Sequence, residues 1–277
     1  MSTYAYLGPS GTFTEAALLG ITSPSDELIP SINVTAALEA VRGGAAEFAL
    51  VPIENSVEGV VARTLDELAT GAPLEIIAET TIAVSFTLMV LPENSEKVIT
   101  KVATHPHAES QCRSFLAREL PHAEIIATPS TAAAAEGLKE GRWDGAIAAR
   151  IAADKYGLTV VAENIGDNEA AVTRFVLVRK PAEIPAPTGS DRTSLVAYIA
   201  IDHAGALLEI LTEFAKNGVN LSFIQSRPTG RELGHYHFII DVEGHQADEA
   251  VARSIAGLRS ICEDIRVLGS YPRATNR

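Results

Sequence analysis

The sequence predicts an α/β chain in two parts: a two-lobed unit of alternating strands and helices, then a small βαββαβ module. Three observations predict it. Short apolar runs alternate with amphipathic stretches as far as about residue 180, the pattern of helices covering a sheet. Residues 180–191 read KPAEIPAPTGSD, with Pro181, Pro185 and Pro187 in seven positions and no apolar period. Proline fixes φ and removes a backbone donor, so 181–191 is read as a linker. Residues 192–277 then divide into strand, helix, strand, strand, helix and strand, a ferredoxin-like order.

In the first part the strand candidates are Tyr4–Leu7, Glu47–Pro52, Leu74–Ala78, Lys101–Thr104, Glu124–Ala127, Asp144–Ala148 and Arg174–Val178. Thr81–Leu91 is read as one longer strand that carries the chain from the first lobe to the second, near 79–83. A second crossing at 158–163 returns it. Two crossings around a cleft match type-II periplasmic binding proteins, by analogy rather than from periodicity. In the C-terminal module, Thr193–Ile201 is a strand and Asp202 caps a helix. That helix places Leu207, Leu208, Leu211, Phe214 and Ala215 on one face, has Lys216 in its last turn and stops at Gly218. Val219–Ser226 and His235–Val242 are strands, Gln246–Ala256 is a helix with Asp248 and Glu249 in its first turn, and Cys262–Ser270 is the last strand.

Composition narrows the function. The 277 residues suffice for two domains, and 47% hydrophobic with 21% charged residues is an ordinary globular balance. A net charge of −13 opposes a nucleic-acid partner, although oriented N–H groups can still hold a small acidic substrate. Cys112 and Cys262 lack CxxC or His-rich neighbourhoods and are read as reduced, buried thiols. The opening MSTYAYLGPSG has no secretion-signal features, and Thr81–Leu91 is too short to span a bilayer, so no membrane association and a cytoplasmic location are expected.

Three glycine-bearing polar segments stand where α/β folds place ligands. YLGPSGTFTEAA, residues 6–17, fits either a capped strand–turn–helix or a turn whose first N–H groups accept a carboxylate. It lacks the lysine of a nucleotide-binding loop. In VPIENSVEGVVARTLDEL, residues 51–68, Asn55 or Ser56 caps a helix containing Val60, Val61, Leu65 and Leu68. Its start is either a plain cap or a second carboxylate-holding terminus facing the first. In NIGDNEAAVTRFVLVRK, residues 164–180, Thr173-Arg174-Phe175 enters a strand. In THPHAESQC, His105 and His107 flank Pro106 with no third ligand in register, which reads as a capping loop rather than a metal site. No GxSxG, HExxH or GxGxxG pattern occurs.

Taken together and in order, GPSGTFTEAA, VPIENSVEGVV, the His-Pro segment with Gln111-Cys112, and VTRF before a linker resemble the prephenate dehydratase family. The C-terminal module resembles an ACT domain, with Gly205-Ala206-Leu207 after its first strand and Gln225-Ser226-Arg227-Pro228 near the end of its second. The resemblance implies a carbon–oxygen lyase that converts prephenate to phenylpyruvate in phenylalanine biosynthesis. It further implies no cofactor or metal, and regulation by L-phenylalanine in a homodimer or homotetramer. It divides the chain into a catalytic domain at 1–180 and a regulatory domain at 192–277.

Prephenate carries two carboxylates and a ring hydroxyl, and its fragmentation gains an aromatic ring. The protein must therefore supply orientation, a hydrogen bond to the departing hydroxyl and a dry pocket. By resemblance, Thr173 faces that hydroxyl; Ser10, Gly11, Thr12, Asn55 and Ser56 hold carboxylates; and His107 is a further substrate contact. Arg174 either charges the cleft or braces Thr173, and Phe175 packs. Gly205, Ala206, Leu207, Asn220, Leu221, Ser226, Arg227 and Pro228 form the effector site. Three positions depart from the family pattern: His107 for Gln, Ala171 for Asn and Gln225 for Glu. The alternatives are an arogenate dehydratase, in which Glu54 or Glu58 would meet the amine, and a non-catalytic amino-acid sensor.

Overall fold

A computed structural model describes residues 1–199, 203–229 and 236–274. The helix cap expected at Asp202 and the strand ends at Ile201 and His235 lie outside the described residues. Two compact units are present, one of residues 1–37, 50–61 and 81–175, the other of 38–49, 62–80 and 176–277.

The chain begins β1 Thr3–Leu7, α1 Phe13–Leu19, β2 Glu27–Ser31, α2 Val34–Gly43, β3 Phe48–Asn55, β4 Gly59–Val60, α3 Ala62–Thr70 and β5 Glu75–Ala83. It continues β6 Phe86–Val90, β7 Lys101–Thr104, α4 Pro106–Ser110, α5 Arg113–Glu119, β8 Glu124–Ala127, α6 Thr131–Leu138, β9 Gly145–Ala149, α7 Arg150–Tyr156, β10 Thr159–Ala162 and β11 Val172–Arg179. The C-terminal module adds β12 Asp191–Tyr198, α8 Ala206–Lys216, β13 Leu221–Pro228, β14 Tyr236–Glu243, α9 Glu249–Ile261 and β15 Asp264–Pro272.

One sheet has the order β2-β1-β3-β11-β5, with the short β4 folded back antiparallel on β3. A second sheet, within the first unit, has the order β10-β6-β9-β7-β8. Its two faces are covered differently. On one, α6 lays Ala134, Ala135 and Leu138 over Met89, Ala103, Ala146 and Ala148. Alanine is both the best helix former and small enough to let the helix lie close to the strands. Trp143 closes this cluster and donates its Nε1–H to the Ala134 carbonyl at 2.8 Å. On the other face, Ala108, Cys112 and Leu116 of the α4–α5 segment pack on Phe86, Leu88, Val102 and Ile147. Each buried leucine contributes about 2 kcal/mol here.

Several expectations are corrected. Thr81–Leu91 is not one strand: β5 ends at Ala83 in the first sheet and β6 starts at Phe86 in the second. At the break, the Val84 N–H donates to the Ala171 carbonyl at 2.7 Å and the Ser85 hydroxyl to Asn164 Oδ1 at 2.7 Å. An unbroken apolar run does not reveal such a bend. The stretch 158–163 does not return the chain to the first sheet; it contains β10, which pairs antiparallel with β6. The return follows it, before β11. The helix expected to include Val60 and Val61 begins only at Ala62, because residues 55–59 turn β3 back into β4. Strand β2 was not expected from the sequence.

In the second unit the C-terminal strands order as β13-β14-β12-β15, all pairs antiparallel. Helices α8 and α9 cover one face, burying Leu195, Ala197, Phe214, Ile240 and Leu258. Residues one position along point the opposite way. There Ser194 donates to Asp241 Oδ1 at 2.6 Å, Arg192 donates to Glu79 Oε2 at 2.8 Å, and the Tyr198 hydroxyl reaches the Ala69 carbonyl. Gly269 approaches so closely that a Cβ would stand 2.1 Å from the Ile76 carbonyl oxygen, which only glycine permits. Among the described residues no helix is long and apolar enough to cross a membrane.

Candidate active site

A cavity of about 1040 Å³ lies within the first unit. It is walled by the β1–α1 loop, the β3–β4 turn, the start of β11, α4 and the N-terminus of α6. Thr12, Asn55, His107 and Thr173 line it, so four of the residues singled out from the sequence meet in one place. Most of the remaining wall is apolar, including Phe13, Val60, Val84 and Phe86.

Thr173 is buried at the start of β11, and Asn55 determines how its hydroxyl is used. The Asn55 Oδ1 accepts the backbone N–H groups of Val57 at 2.8 Å and Glu58 at 2.9 Å. Its Nδ2 must therefore face the other way, and it donates to Thr173 Oγ1 at 2.8 Å. A hydroxyl has one proton and two lone pairs. With a lone pair engaged by an amide donor, Thr173 keeps its own proton to donate. Asn55 is thus an Asx-turn residue rather than the helix cap expected of it.

Ser10, Gly11, Ser56 and Arg174 do not line the cavity. Ser10 hydrogen-bonds the Tyr6 hydroxyl at 3.0 Å, and its carbonyl accepts from Tyr156 at 2.8 Å. Gly11 gives its N–H to the buried carboxylate of Glu15, which Lys155 approaches at 3.4 Å. Gly11 has φ +87°, and a Cβ there would stand 3.1 Å from the Tyr156 ring, so the loop needs glycine on both counts. The Gly11 N–H is therefore taken by the chain's own acid, while in the first turn of α1 the Glu15 N–H is held by the Thr12 hydroxyl at 3.3 Å. Burial pushes the Tyr6 phenol up to about 12, with the Glu15 charge adding to the effect. Ser56 is occupied with backbone, exchanging hydrogen bonds of 2.9 Å with Val172. Arg174 is buried and pairs with Glu54 at 3.3 Å.

Sequence reasoning gave no site role to Ser130 and Thr131, and it named Glu58, Gln111 and His105 without the contacts they make here. Glu58 and Gln111 meet across the wall, Gln111 Nε2 donating to Glu58 Oε1 at 3.0 Å. Ser130 caps α6 by accepting the Ala133 N–H at 3.0 Å, and Thr131 follows it into the wall. The polar triplet before the alanine run in TPSTAAAA carries that capping signal. His105 also lines the cavity; its Nδ1 accepts the His107 N–H at 3.2 Å, so the neutral ring carries its proton on Nε2. Burial and then the neighbouring His107 hold His105 below the usual imidazole range, against the opposing pull of Glu58. Among the described residues no lysine or arginine lines the cavity, and Glu58 is the one carboxylate that does.

Among the described residues no group of three or more His, Cys, Asp or Glu side chains is placed to hold a metal. Burial pushes the Cys112 thiol up to about 12 and that of Cys262 to about 11, so neither is a thiolate nucleophile. In the C-terminal module, Gly205 caps α8 with φ +100° and Ala206 is buried behind it. Arg227, expected among the effector contacts, instead gives Nε and Nη2 to the Asp66 carboxylate of α3 at 2.8 and 2.7 Å.

Comparison with known proteins agrees with this arrangement. Residues 4–183 match the family model described as prephenate dehydratase, and residues 193–259 match that of the ACT domain. A prephenate dehydratase of Mycobacterium sp. (strain JLS) is 48% identical over 286 residues, covering 99% of this chain and 90% of the relative. The crystal structure of prephenate dehydratase from Arthrobacter aurescens in complex with L-Phe matches with a TM-score of 0.91 at 50% identity, covering 98% of this chain and 90% of that one. A solved structure described as a novel type of quorum-quenching acylase matches with a TM-score of 0.87 at 29% identity, covering 98% of both. A family match over most of the chain, a relative 48% identical along nearly all of it and an appended ACT module lead to one assignment: the chain belongs to the prephenate dehydratase family.

Proposed function

We propose that the Asn55–Thr173 pair is the reacting centre at which this lyase turns prephenate into phenylpyruvate. The electron pair of the C–CO₂⁻ bond enters the ring as the C–OH bond breaks, and the departing oxygen takes up a proton and leaves as water. The observation that carries this reading is the 2.8 Å bond from Asn55 Nδ2 to Thr173 Oγ1, which leaves the threonine proton for that oxygen. Asn55, Thr12 and the donors of the opposite wall orient the carboxylates. The apolar wall supports loss of CO₂, since a carboxylate out of water is less stabilised.

The same bond argues against an acylase mechanism at Thr173. A threonine nucleophile needs a hydrogen-bonded base, and here Oγ1 meets a donor. Glu58, as the cavity's carboxylate, favours one second reading: turnover of the amine-bearing counterpart, arogenate.

The regulatory proposal is that L-phenylalanine binds the module at 192–277, joined to the catalytic part at 1–180 by 181–191. Its contacts come from the Gly205–Leu207 turn, Asn220, Leu221, Ser226 and Pro228, while Arg227 transmits through Asp66 to α3. Leu208 and Ile224 are exposed on this module, which supports pairing of two copies; the location proposed is cytoplasmic. The test follows phenylpyruvate absorbance with prephenate or arogenate, with and without L-phenylalanine. Phenylpyruvate formed from prephenate and suppressed by L-phenylalanine supports the reading, whereas amino-acid binding without product identifies a sensor.

A further inference from the structure

Gln111 and His107 both stand on or beside α4, line the cavity, and face one carboxylate, Gln111 donating a hydrogen bond to it and His107 standing just beyond hydrogen-bond reach. That carboxylate is the chain's own: Glu58 Oε1 lies 3.0 Å from Gln111 Nε2, and Glu58 Oε2 lies 3.8 Å from His107 Nδ1. Gln111 is only 9% exposed, so its amide has little solvent to turn to. Glu58 sits on the turn whose N–H groups hold Asn55, and Asn55 holds Thr173. One chain of contacts thus runs from the threonine hydroxyl across the cavity to these donors.

We infer that Gln111 and His107 form a carboxylate subsite, and that Glu58 is a built-in competitor which a substrate carboxylate must displace. The inference rests on the dehydratase reading above, and three points carry it. First, the subsite demonstrates its preference, because it already binds a carboxylate through a charge-assisted hydrogen bond. Second, no lysine or arginine among the described residues lines the wall, so a dianion entering beside Glu58 meets an uncompensated like charge. Third, Glu58 is on a mobile kind of element, the three-residue connection before Gly59, which has φ +84°, and its side chain is one-third exposed, so it has solvent to move into. Exchange of one carboxylate for another leaves Gln111 satisfied throughout, which avoids stranding a buried amide. In prephenate the ring carbon bearing the pyruvyl side chain lies para to the one bearing the hydroxyl. The side-chain carboxylate, which phenylpyruvate keeps, in this subsite and a hydroxyl at Thr173 therefore place one ring across the cavity. The competitor also sets selectivity: a ligand without a carboxylate cannot displace Glu58 and is refused.

Steady-state turnover of prephenate by the full chain tests this, with Glu58→Ala, Gln111→Leu and the double variant. Affinity for phenylpyruvate, the one-carboxylate product, is read by calorimetry on the same proteins. Glu58→Ala is expected to lower KM for prephenate, and Kd for phenylpyruvate, by about 3- to 10-fold, the change falling on KM rather than kcat. Gln111→Leu raises both constants, and by at least about 3-fold more in the Glu58→Ala background, because only there is the full hydrogen bond to ligand unopposed. Unchanged or raised constants in Glu58→Ala, or equal Gln111 effects in both backgrounds, overturn the inference. Absence of phenylpyruvate formation by the wild-type chain instead overturns the dehydratase reading, and the calorimetric cycle still decides the subsite.

Discussion

The cavity of the first unit and the charged face of the C-terminal sheet in the second are both buried and polar, and they are built differently. Around the cavity the polar groups among the described residues are hydroxyls, amides and imidazoles, with Glu58 the one carboxylate. On the sheet face, Arg192 pairs with Glu79 and Arg227 with Asp66, beside the buried Asp241. The difference follows from what each must do. A site for a transient charge needs oriented dipoles that cost nothing to reorganise as bonds break. A permanent junction can hold full charges, provided each is paired, since removing one partner strands the other.

Four results would sharpen or break that contrast. The largest stability effect is expected for Arg192→Ala, which leaves Glu79 buried without its arginine: about 3 kcal/mol lost in denaturant unfolding. A loss below about 1 kcal/mol would put this pair with ordinary surface bridges. Asn55→Ala removes a neutral donor from the cavity, so its effect belongs on the rate: a kcat lower by about 10- to 100-fold with midpoint stability little changed. Asp66→Asn keeps the shape of α3 and uncouples Arg227. The L-phenylalanine concentration for half-inhibition should rise about 5-fold while turnover without effector persists.

The smallest effect concerns His237, which is fully buried on the same sheet face with no hydrogen-bond partner among the described residues for either ring nitrogen. Burial holds its imidazole below the usual range, opposed by Asp66 and reinforced by Arg227. Its folded pKa is therefore the lower one, and the unfolded chain takes up a proton that the folded chain refuses. Stability contributed by neutral His237 is present above about pH 6.5 and declines as pH falls through that value. His237→Phe should flatten this slope between pH 7 and 5, read by thermal unfolding; an unchanged slope assigns the titration elsewhere.

How much of this was legible varies with how unambiguous the local signal is. The C-terminal strands and helices follow their expected bounds within a few residues, apart from the later end of α9, because alternating and 3.6-period patterns are clear there. Thr173 and Asn55 were singled out because motif order marked them, yet their bond was not, since 118 residues separate them. Asn55 serves equally as a helix cap or a turn residue, and only the β3–β4 pairing decides. Ser10 and Gly11 look like ligands in sequence, and the back-side partners Tyr6, Glu15 and Tyr156 that claim them are visible only in three dimensions. Gln111 was marked only as part of the motif with Cys112, and its bond to Glu58 was not, since 53 residues separate them.

The most direct measurement is kcat at saturating prephenate for Thr173→Val, which keeps the branched shape at β11 and deletes the hydroxyl, beside Thr173→Ser, which keeps the hydroxyl. A donor aimed by Asn55 at the departing oxygen predicts a fall of at least about 100-fold for valine and a much smaller one for serine. Valine turning over within about 3-fold of wild type would contradict it, and would leave the cavity's apolar wall to account for the reaction.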